Sequence, residues 1–180
     1  FETDLVNKVK SDYECIFTQT HLSKDKLPGL SVNKKLVKYL NFPMVISESS
    51  LKFALNKDVI NIASKYLEDD VVLSYVVAYR TQETSEALHY YYNTPGVFSG
   101  WHSDNQFKTR GHKMLTVMIY LSDVNEKNGP LEVAEGTHDL NLSKRIFFEN
   151  DLENFNKVKL MGTIGTTILF DMDSVHKANV

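Results

Sequence analysis

The chain has 180 residues and a mass of 20.6 kDa, which fits one domain better than two and is long enough to bury a substantial core. Hydrophobic residues make up 42% and charged residues 24%, which is the balance of a globular protein and excludes a disordered or collagen-like chain. The 20 basic and 23 acidic residues give a net charge of −3, which argues against nucleic-acid binding through a basic surface.

The cysteine content and the termini bear on the compartment. Cys15 is the single cysteine, so the chain forms no internal disulfide, and we predict a reducing, cytoplasmic location. No apolar run approaches the ~20 residues of a membrane span, and the N-terminus lacks the pattern of a signal peptide. The chain begins at Phe1 and stops at Val180 just after a polar segment, so we expect it to be a fragment.

The first third of the sequence, to about residue 70, predicts helices. Ser49 and Ser50 can cap a helix, and apolar residues then recur at spacings of three and four, which predicts one amphipathic helix. The apolar positions are Leu51, Leu55, Val59, Ile62, Ala63, Tyr66 and Leu67. We predict a shorter helix over residues 32–40.

From residue 71 the sequence becomes rich in β-branched and aromatic residues, which favours strands. The predicted strands are residues 71–79, 87–92, 113–121, 131–133, 157–161 and 166–170. Helices that precede many short strands argue against a doubly wound α/β sheet. The predicted fold class is mainly β with flanking helices: one domain, residues 1–180, with a β-sandwich or barrel over 71–180 and the helices packed outside.

The strand over residues 113–121 has two different faces. One carries Leu115, Val117, Ile119 and Leu121, and the other carries Met114, Thr116, Met118 and Tyr120. We expect the second face to point into the barrel, because the aliphatic face would pack well under the helices. The reverse orientation would direct Thr116 and Met118 away from the interior.

His102 and Asp104 are candidate metal ligands. On an extended segment, residues two apart point to the same side, so an imidazole nitrogen and a carboxylate oxygen can meet at one point. Two histidines and one carboxylate form the facial triad of non-haem Fe(II) oxygenases. His-x-Asp is a weak signal by itself, and the alternative is an aspartate that accepts a hydrogen bond from a nearby histidine.

The downstream sequence resembles the phytanoyl-CoA dioxygenase-like family of Fe(II)/2-oxoglutarate oxygenases. The resemblance covers about residues 73–180 and rests on four features in order. These are Trp101-His102-Ser103-Asp104, the Asn128-Gly129-Pro130-Leu131 strand, the Gly136-Thr137-His138 turn, and His176 after a Gly-x-x-x-x-Phe strand. Glu135 replaces the proline that is usual at the turn.

The resemblance implies a double-stranded β-helix, also described as a jelly-roll or cupin-like barrel. It also implies that His102, Asp104 and His176 bind the iron. With the mixed face of the 113–121 strand inward, Thr116 would hydrogen-bond the cosubstrate and Met118 would pack against it. The other histidines are interpreted as structural or exposed, His138 as a brace of the barrel rim.

The expected anchor of 2-oxoglutarate is the feature that does not match. Family members hold its far carboxylate with an arginine on the strand after the distal histidine, and Arg80, Arg110 and Arg145 do not have that position. We expect the natural chain to continue beyond Val180 with a further strand. The alternatives are another cation or a protein that does not use 2-oxoglutarate.

The first function hypothesis is an Fe(II)- and 2-oxoglutarate-dependent dioxygenase that hydroxylates a small organic substrate. The resemblance implies that molecular oxygen and 2-oxoglutarate are consumed and that succinate and CO2 are released. The alternative is a catalytically inactive double-stranded β-helix that binds a ligand or a partner. A third hypothesis is a cupin-like metal enzyme without 2-oxoglutarate.

Overall fold

The computed structural model describes residues 1–18, 30–33, 37–81, 100–104, 113–140 and 146–178. The chain divides into two compact units, Phe1–Glu83 and Thr84–Val180. No helix in these described ranges is long and apolar enough to cross a membrane. The predicted strand over residues 87–92 lies outside the described residues.

The first unit contains three helices and a three-stranded antiparallel sheet of order β1-β2-β3 among its described residues. Its elements are α1 (Thr3–Thr18), β1 (Leu30–Asn33), β2 (Val37–Asn41), α2 (Glu48–Ala54), α3 (Lys57–Leu67) and β3 (Val77–Thr81). Apolar residues at helical spacing form the buried side of α1, namely Val6, Val9, Tyr13 and Phe17. Asp12 on the same helix accepts hydrogen bonds from the hydroxyl groups of Ser47 and Ser49 at 2.8 and 2.6 Å, which attaches α1 to the start of α2.

The predicted single helix over residues 51–67 is two helices. The side chain of Asn56 accepts hydrogen bonds from the backbone N–H groups of Asp58 and Val59, and it therefore caps a new helix, α3. The first helix begins at Glu48, because its N-cap is Ser47 and not Ser49 or Ser50 as predicted. The predicted apolar stripe remains partly exposed: Leu55 is 51% and Ile62 is 50% exposed.

The predicted helix over residues 32–40 is wrong. This part of the chain contributes to β1 and β2, so the first 70 residues are not entirely helical. The strand β2 pairs along its whole length with β3, from Val37 opposite Thr81 to Asn41 opposite Val77. A partner so distant in sequence overrides the local preference that the helix prediction used.

The strand predicted over residues 71–79 begins later, at Val77. Its partner β2 ends at Asn41, and Phe42 then adopts a left-handed conformation with φ of 53° before Pro43. Proline has no backbone N–H to donate, so the ladder cannot continue. The N–H of Phe42 still donates to the carbonyl of Val76 at 2.9 Å, but residues 71–75 belong to no strand, and Val72 is 89% exposed.

The second unit contains two antiparallel sheets among its described residues, β4-β7 and β6-β5-β8. The strands are β4 (Leu115–Ile119), β5 (Leu131–Ala134), β6 (Lys157–Leu160), β7 (Thr167–Asp171) and β8 (His176–Ala178). Four of them confirm predicted strands, and Gly129 at the predicted turn has a φ of 74°. Single bridges from His102 to His176 and to Ile146 extend the second sheet beyond β8.

The core of this unit lies on one face of the β6-β5-β8 sheet. It consists of Trp101, Ala134, Phe147, Leu152 and Val175, with Phe155 packed against them. Helices and strands have nearly equal total lengths in the described residues. The prediction of a mainly-β fold is therefore wrong. The strands are only 3–5 residues long, which accounts for the difference.

Candidate metal centre

Three side chains converge at one point of the second unit. One ligand atom from each of His102, Asp104 and His176 lies within 4.8 Å of the other two. Nε2 of His102 is 3.6 Å from Oδ1 of Asp104, and Nε2 of His176 is 3.5 Å from its Oδ2. No other group of histidine, cysteine and acidic residues in the described part of the chain has this geometry.

Backbone pairing explains why two histidines far apart in the chain meet. The N–H of His102 donates to the carbonyl of His176, and the N–H of His176 donates to that of His102, both at 2.9 Å. This reciprocal exchange places the two residues directly opposite each other in an antiparallel ladder, with their side chains on the same face. Asp104 follows His102 by two positions, so the sequence period brings its carboxylate to that side as well.

Hydrogen bonds to the backbone fix the tautomer of both imidazoles. Nδ1 of His102 lies 2.5 Å from the carbonyl of Gly100, and Nδ1 of His176 lies 2.9 Å from the carbonyl of Ser174. A carbonyl oxygen only accepts, so each Nδ1 carries the hydrogen and each Nε2 keeps its lone pair. Both Nε2 atoms point to Asp104, and carbonyl partners of this kind are typical of metal-binding histidines.

Burial differs across the three groups. The side chain of His176 is 7% exposed, that of His102 is 19% exposed and that of Asp104 is 43% exposed. The histidines therefore form the closed side of the cluster, whereas the carboxylate side is open. A metal held here would keep positions accessible to small molecules.

The β4-β7 sheet contributes the opposite wall. The ring of Phe170 packs edge-on against His176 with a centroid distance of 5.2 Å. Thr116 lies directly opposite Phe170 in the ladder, and Met118 lies opposite Ile168. Since opposed residues share a face, Thr116 and Met118 are on the face of the sheet that contacts His176.

A second contact supports this orientation of β4. The hydroxyl of Tyr120 donates to the carbonyl of Leu160 in the other sheet at 2.6 Å. Burial raises the pKa of Tyr120, so the phenol stays protonated and able to donate. The face that carries Met114, Thr116, Met118 and Tyr120 therefore points inward, as predicted.

A charged cluster that the sequence does not predict lies behind the candidate ligands. We call it the rear cluster, and it consists of Trp101, Glu132, Glu149, Lys157 and Lys177. Burial by itself would raise the pKa of Glu149, but hydrogen bonds from Lys157 and Trp101 and the charge of Lys177 outweigh it and lower the pKa to about 2. The adjacency of Trp101 to His102 and of Lys177 to His176 is the signal in the sequence that could have indicated it.

Thr137, in the family-like turn, has no exposed surface. Its hydroxyl donates to the carbonyl of Ala134 at 2.7 Å and accepts from the N–H of Val175 at 2.8 Å. Val175 precedes His176, so this bridge holds the start of β8 against the end of β5. Sequence comparison with the turn motif indicated the position but not this role.

Replacement of Thr137 by valine is expected to lower the free energy of unfolding by about 1–3 kcal/mol, because the buried N–H of Val175 loses its acceptor. Urea unfolding measures the change. Thr137→Ser keeps the hydroxyl and is expected to retain most of the stability. Equal unfolding free energies for the valine variant and the wild type would contradict the assigned bridge.

The remaining sequence-based candidates do not join the cluster. The side chain of His138 is 39% exposed and lies 3.4 Å from Asp139, which fits the predicted structural role better than a ligand role. Arg80 lies on β3 of the first unit. Arg110 and Arg145, like His21, His89 and His112, lie outside the described residues.

A 2-His-1-carboxylate cluster on antiparallel strands, with one open side, defines the class of non-haem iron oxygenases. The chain belongs to the phytanoyl-CoA dioxygenase (PhyH) family, which matches residues 38–179. The predicted family and its enzyme class, Fe(II)/2-oxoglutarate-dependent oxygenases, are thereby confirmed. A search of curated proteins gives no match.

Solved structures with a similar fold are distant in sequence. The epimerase SnoN, solved with Fe3+, alpha ketoglutarate and nogalamycin RO, is 14% identical with a TM-score of 0.73 over 100% of this chain and 70% of its own. EctD from S. alaskensis, solved with 2-oxoglutarate and 5-hydroxyectoine, is 20% identical with a TM-score of 0.73, over 99% of this chain and 63% of its own. AviO1 from Streptomyces viridochromogenes Tue57 is 16% identical with a TM-score of 0.67, over 99% of this chain and 78% of its own.

Proposed function

We propose that this chain is a non-haem Fe(II)- and 2-oxoglutarate-dependent dioxygenase that hydroxylates a small organic substrate with molecular oxygen. His102, Asp104 and His176 are the proposed iron ligands. The observation that carries the proposal is their convergence within 4.8 Å, with both Nε2 atoms aimed at the carboxylate. Membership of the PhyH family supports the same chemistry.

The donor set fits Fe(II). Each Nδ1 is engaged by a backbone carbonyl, so two neutral imidazoles and one carboxylate present their ligand atoms together. This combination of nitrogen and oxygen donors is the facial triad. Bound iron supplies the oxidising chemistry with 2-oxoglutarate and oxygen, and the carboxylate of Asp104 leaves no ligand position for a halide, which favours hydroxylation.

We assign cosubstrate contacts to Thr116 and Met118 on β4. Both lie on the inward face opposite Phe170 and Ile168, and Phe170 contacts His176. The hydroxyl of Thr116 can donate to a carboxylate oxygen of 2-oxoglutarate, and the thioether of Met118 can pack against its methylene groups. This position supports a role for the inward face of β4 in orienting 2-oxoglutarate.

Apolar residues beside the ligands exclude water. Val133 lies directly opposite His176 on the same face of its sheet, and the Phe170 ring covers that histidine from the other sheet. A dry wall on two sides leaves the Asp104 side as the entry for substrate. The substrate is bound and oriented from that side, with its reacting C–H directed at the metal position.

In this proposal, the two sheets of the second unit are part of a double-stranded β-helix. Two antiparallel sheets face each other across the Tyr120–Leu160 contact, which is the arrangement expected of such a barrel. The family match over residues 38–179 includes part of both compact units, which supports the prediction of one domain. The single cysteine favours a reducing compartment.

Anaerobic titration with Fe(II) tests the proposal. We expect one Fe(II) per chain, and addition of 2-oxoglutarate to the iron-loaded protein is expected to produce a weak visible charge-transfer band. EDTA is expected to remove the iron and the band together. Admission of oxygen is expected to convert 2-oxoglutarate to succinate only while iron is bound.

The alternatives give different results in the same titration. A protein that binds neither iron nor 2-oxoglutarate would be a non-catalytic binding module. Iron binding without a spectral response to 2-oxoglutarate, and without succinate, would indicate a cupin-like enzyme of another type. Either result contradicts the proposed dioxygenase.

A further inference from the structure

The residues one position away from the two histidines form a row on the rear face of the ligand sheet. Since His102 and His176 are directly opposite, the antiparallel register places Trp101 opposite Lys177. On the other side of β8, Lys177 lies opposite Glu132. The row therefore crosses the same strands as the ligand row and projects from the opposite face.

Lys177 is the centre of this row. Its Nζ lies 4.6 Å from the centroid of the Trp101 ring, 3.4 Å from Glu132 Oε2 and 3.3 Å from Glu149 Oε1. The ammonium thus makes a cation–π contact with one neighbouring strand and an ion pair with the other. It connects all three strands that meet at the ligand histidines.

Glu149 joins the indole to the lysines. Its Oε1 accepts a hydrogen bond from Nε1 of Trp101 at 2.7 Å, and its Oε2 lies 2.5 Å from Nζ of Lys157. The side chains of Lys177 and Glu132 are only 16% and 13% exposed. The Lys177–Glu132 pair is therefore largely buried and fixes its side chains more firmly than an exposed surface pair does, whereas Glu149 is 59% exposed.

We propose that Lys177 is a positioning residue for the metal centre, because it ties the strands of both ligand histidines into one register from behind. This inference rests on the proposed function in one respect, that a metal binds between the histidines. A slip of one strand by one residue would turn its histidine to the other face. Loss of the Lys177 contacts is expected to let the two strands shift relative to each other and to misplace the Nε2 atoms.

Electrostatics alone predicts the opposite effect. Two carboxylates and two ammonium groups give the rear cluster no net formal charge. Replacement of Lys177 by methionine would leave it with one net negative charge, which attracts a divalent cation. A weaker metal affinity in this variant therefore identifies positioning and excludes a charge effect.

Anaerobic titration with Co(II), followed by its visible d–d absorption, tests the inference without requiring turnover. Loss of a group that hydrogen-bonds a metal ligand directly commonly costs about 10- to 100-fold in metal affinity. Lys177 contacts the neighbours of the ligand residues and not the ligands themselves, so we expect the Kd of Lys177→Met to rise by about 10-fold, the lower end of this range. Lys177→Arg keeps the charge and can stack on the indole, so we expect it to restore the wild-type Kd and band shape.

Lys159→Met is the matched control. Lys159 also lies opposite Glu132, but on the side away from the histidines, and its side chain is 43% exposed in a 3.8 Å pair with Glu126. We expect its Kd for Co(II) to equal that of the wild type. Should Lys177→Met fold poorly, Trp101→Phe keeps an aromatic ring for Lys177 but removes the N–H donor to Glu149, and we expect a Kd increase of up to about 10-fold.

The outcomes separate this inference from the proposed function. Absence of Co(II) binding in the wild type would contradict the metal site itself and the inference with it. Binding in the wild type with an equal or tighter Kd in Lys177→Met overturns only the positioning role. An equal loss in Lys177→Arg or in Lys159→Met overturns it as well, because the loss would then not depend on the contacts described.

Discussion

Replacement of Asp104 by alanine is expected to abolish the iron-dependent conversion of 2-oxoglutarate to succinate. The variant removes the carboxylate that lies 3.6 and 3.5 Å from the two Nε2 atoms and leaves only two donors. Removal of a direct ligand is expected to exceed the roughly 10- to 100-fold loss of affinity that removal of an outer partner causes. Anaerobic Fe(II) titration and an assay of succinate measure the two effects.

Asp139→Ala provides the matched control. Asp139 also has a histidine neighbour, His138 at 3.4 Å, but its side chain is 81% exposed and it lies outside the cluster. We expect this variant to bind and turn over like the wild type. Full activity and stoichiometric iron in Asp104→Ala would show that the ligand assignment is incorrect.

Replacement of Phe147 by alanine is expected to cause the largest loss of stability. Phe147 is 2% exposed and belongs to the core behind the ligand sheet, and its N–H donates to the carbonyl of Trp101 at 3.0 Å. Truncation of a buried phenylalanine to alanine costs about 3–5 kcal/mol, as lost burial plus an unfilled cavity. For a chain of this size the melting temperature is expected to fall by roughly 6–20 °C.

Phe148→Ala is the comparison, one residue further along. Its side chain is 58% exposed, so we expect its free energy of unfolding to stay within about 0.5 kcal/mol of the wild type. Thermal and urea unfolding of both variants measure the difference. Equal losses in the two variants would contradict the assignment of Phe147 to the core.

The sequence predicted the residues of the candidate metal centre better than the contacts that support them. The period of two along an extended chain was sufficient to bring His102 and Asp104 to one side. His176 required the resemblance to the family, because nothing local relates it to a partner so far upstream. Alternation along 113–121 also predicted the two faces of β4, and the contact of Tyr120 with Leu160 confirms which one is inward.

The errors share a physical cause, which is pairing between distant segments. Residues 32–40 were predicted as a helix, but the hydrogen bonds of β3 make them strands. The rear cluster was missed for the same reason, since only the register of β8 with its neighbours brings Lys177 onto Trp101. The break between α2 and α3 at Asn56 can be predicted from the sequence, because asparagine is one of the preferred N-cap residues of helices.

The reciprocal hydrogen bonds between His102 and His176 have a consequence for the order of events during synthesis. A nascent chain that has not yet reached residue 176 holds only two of the three proposed donors, and it also lacks the strand that aligns the first histidine. Metal binding at the proposed site is therefore expected to follow closure of the sheet. Retention of one equivalent of Fe(II) through gel filtration would serve as a reporter that the chain has completed its fold.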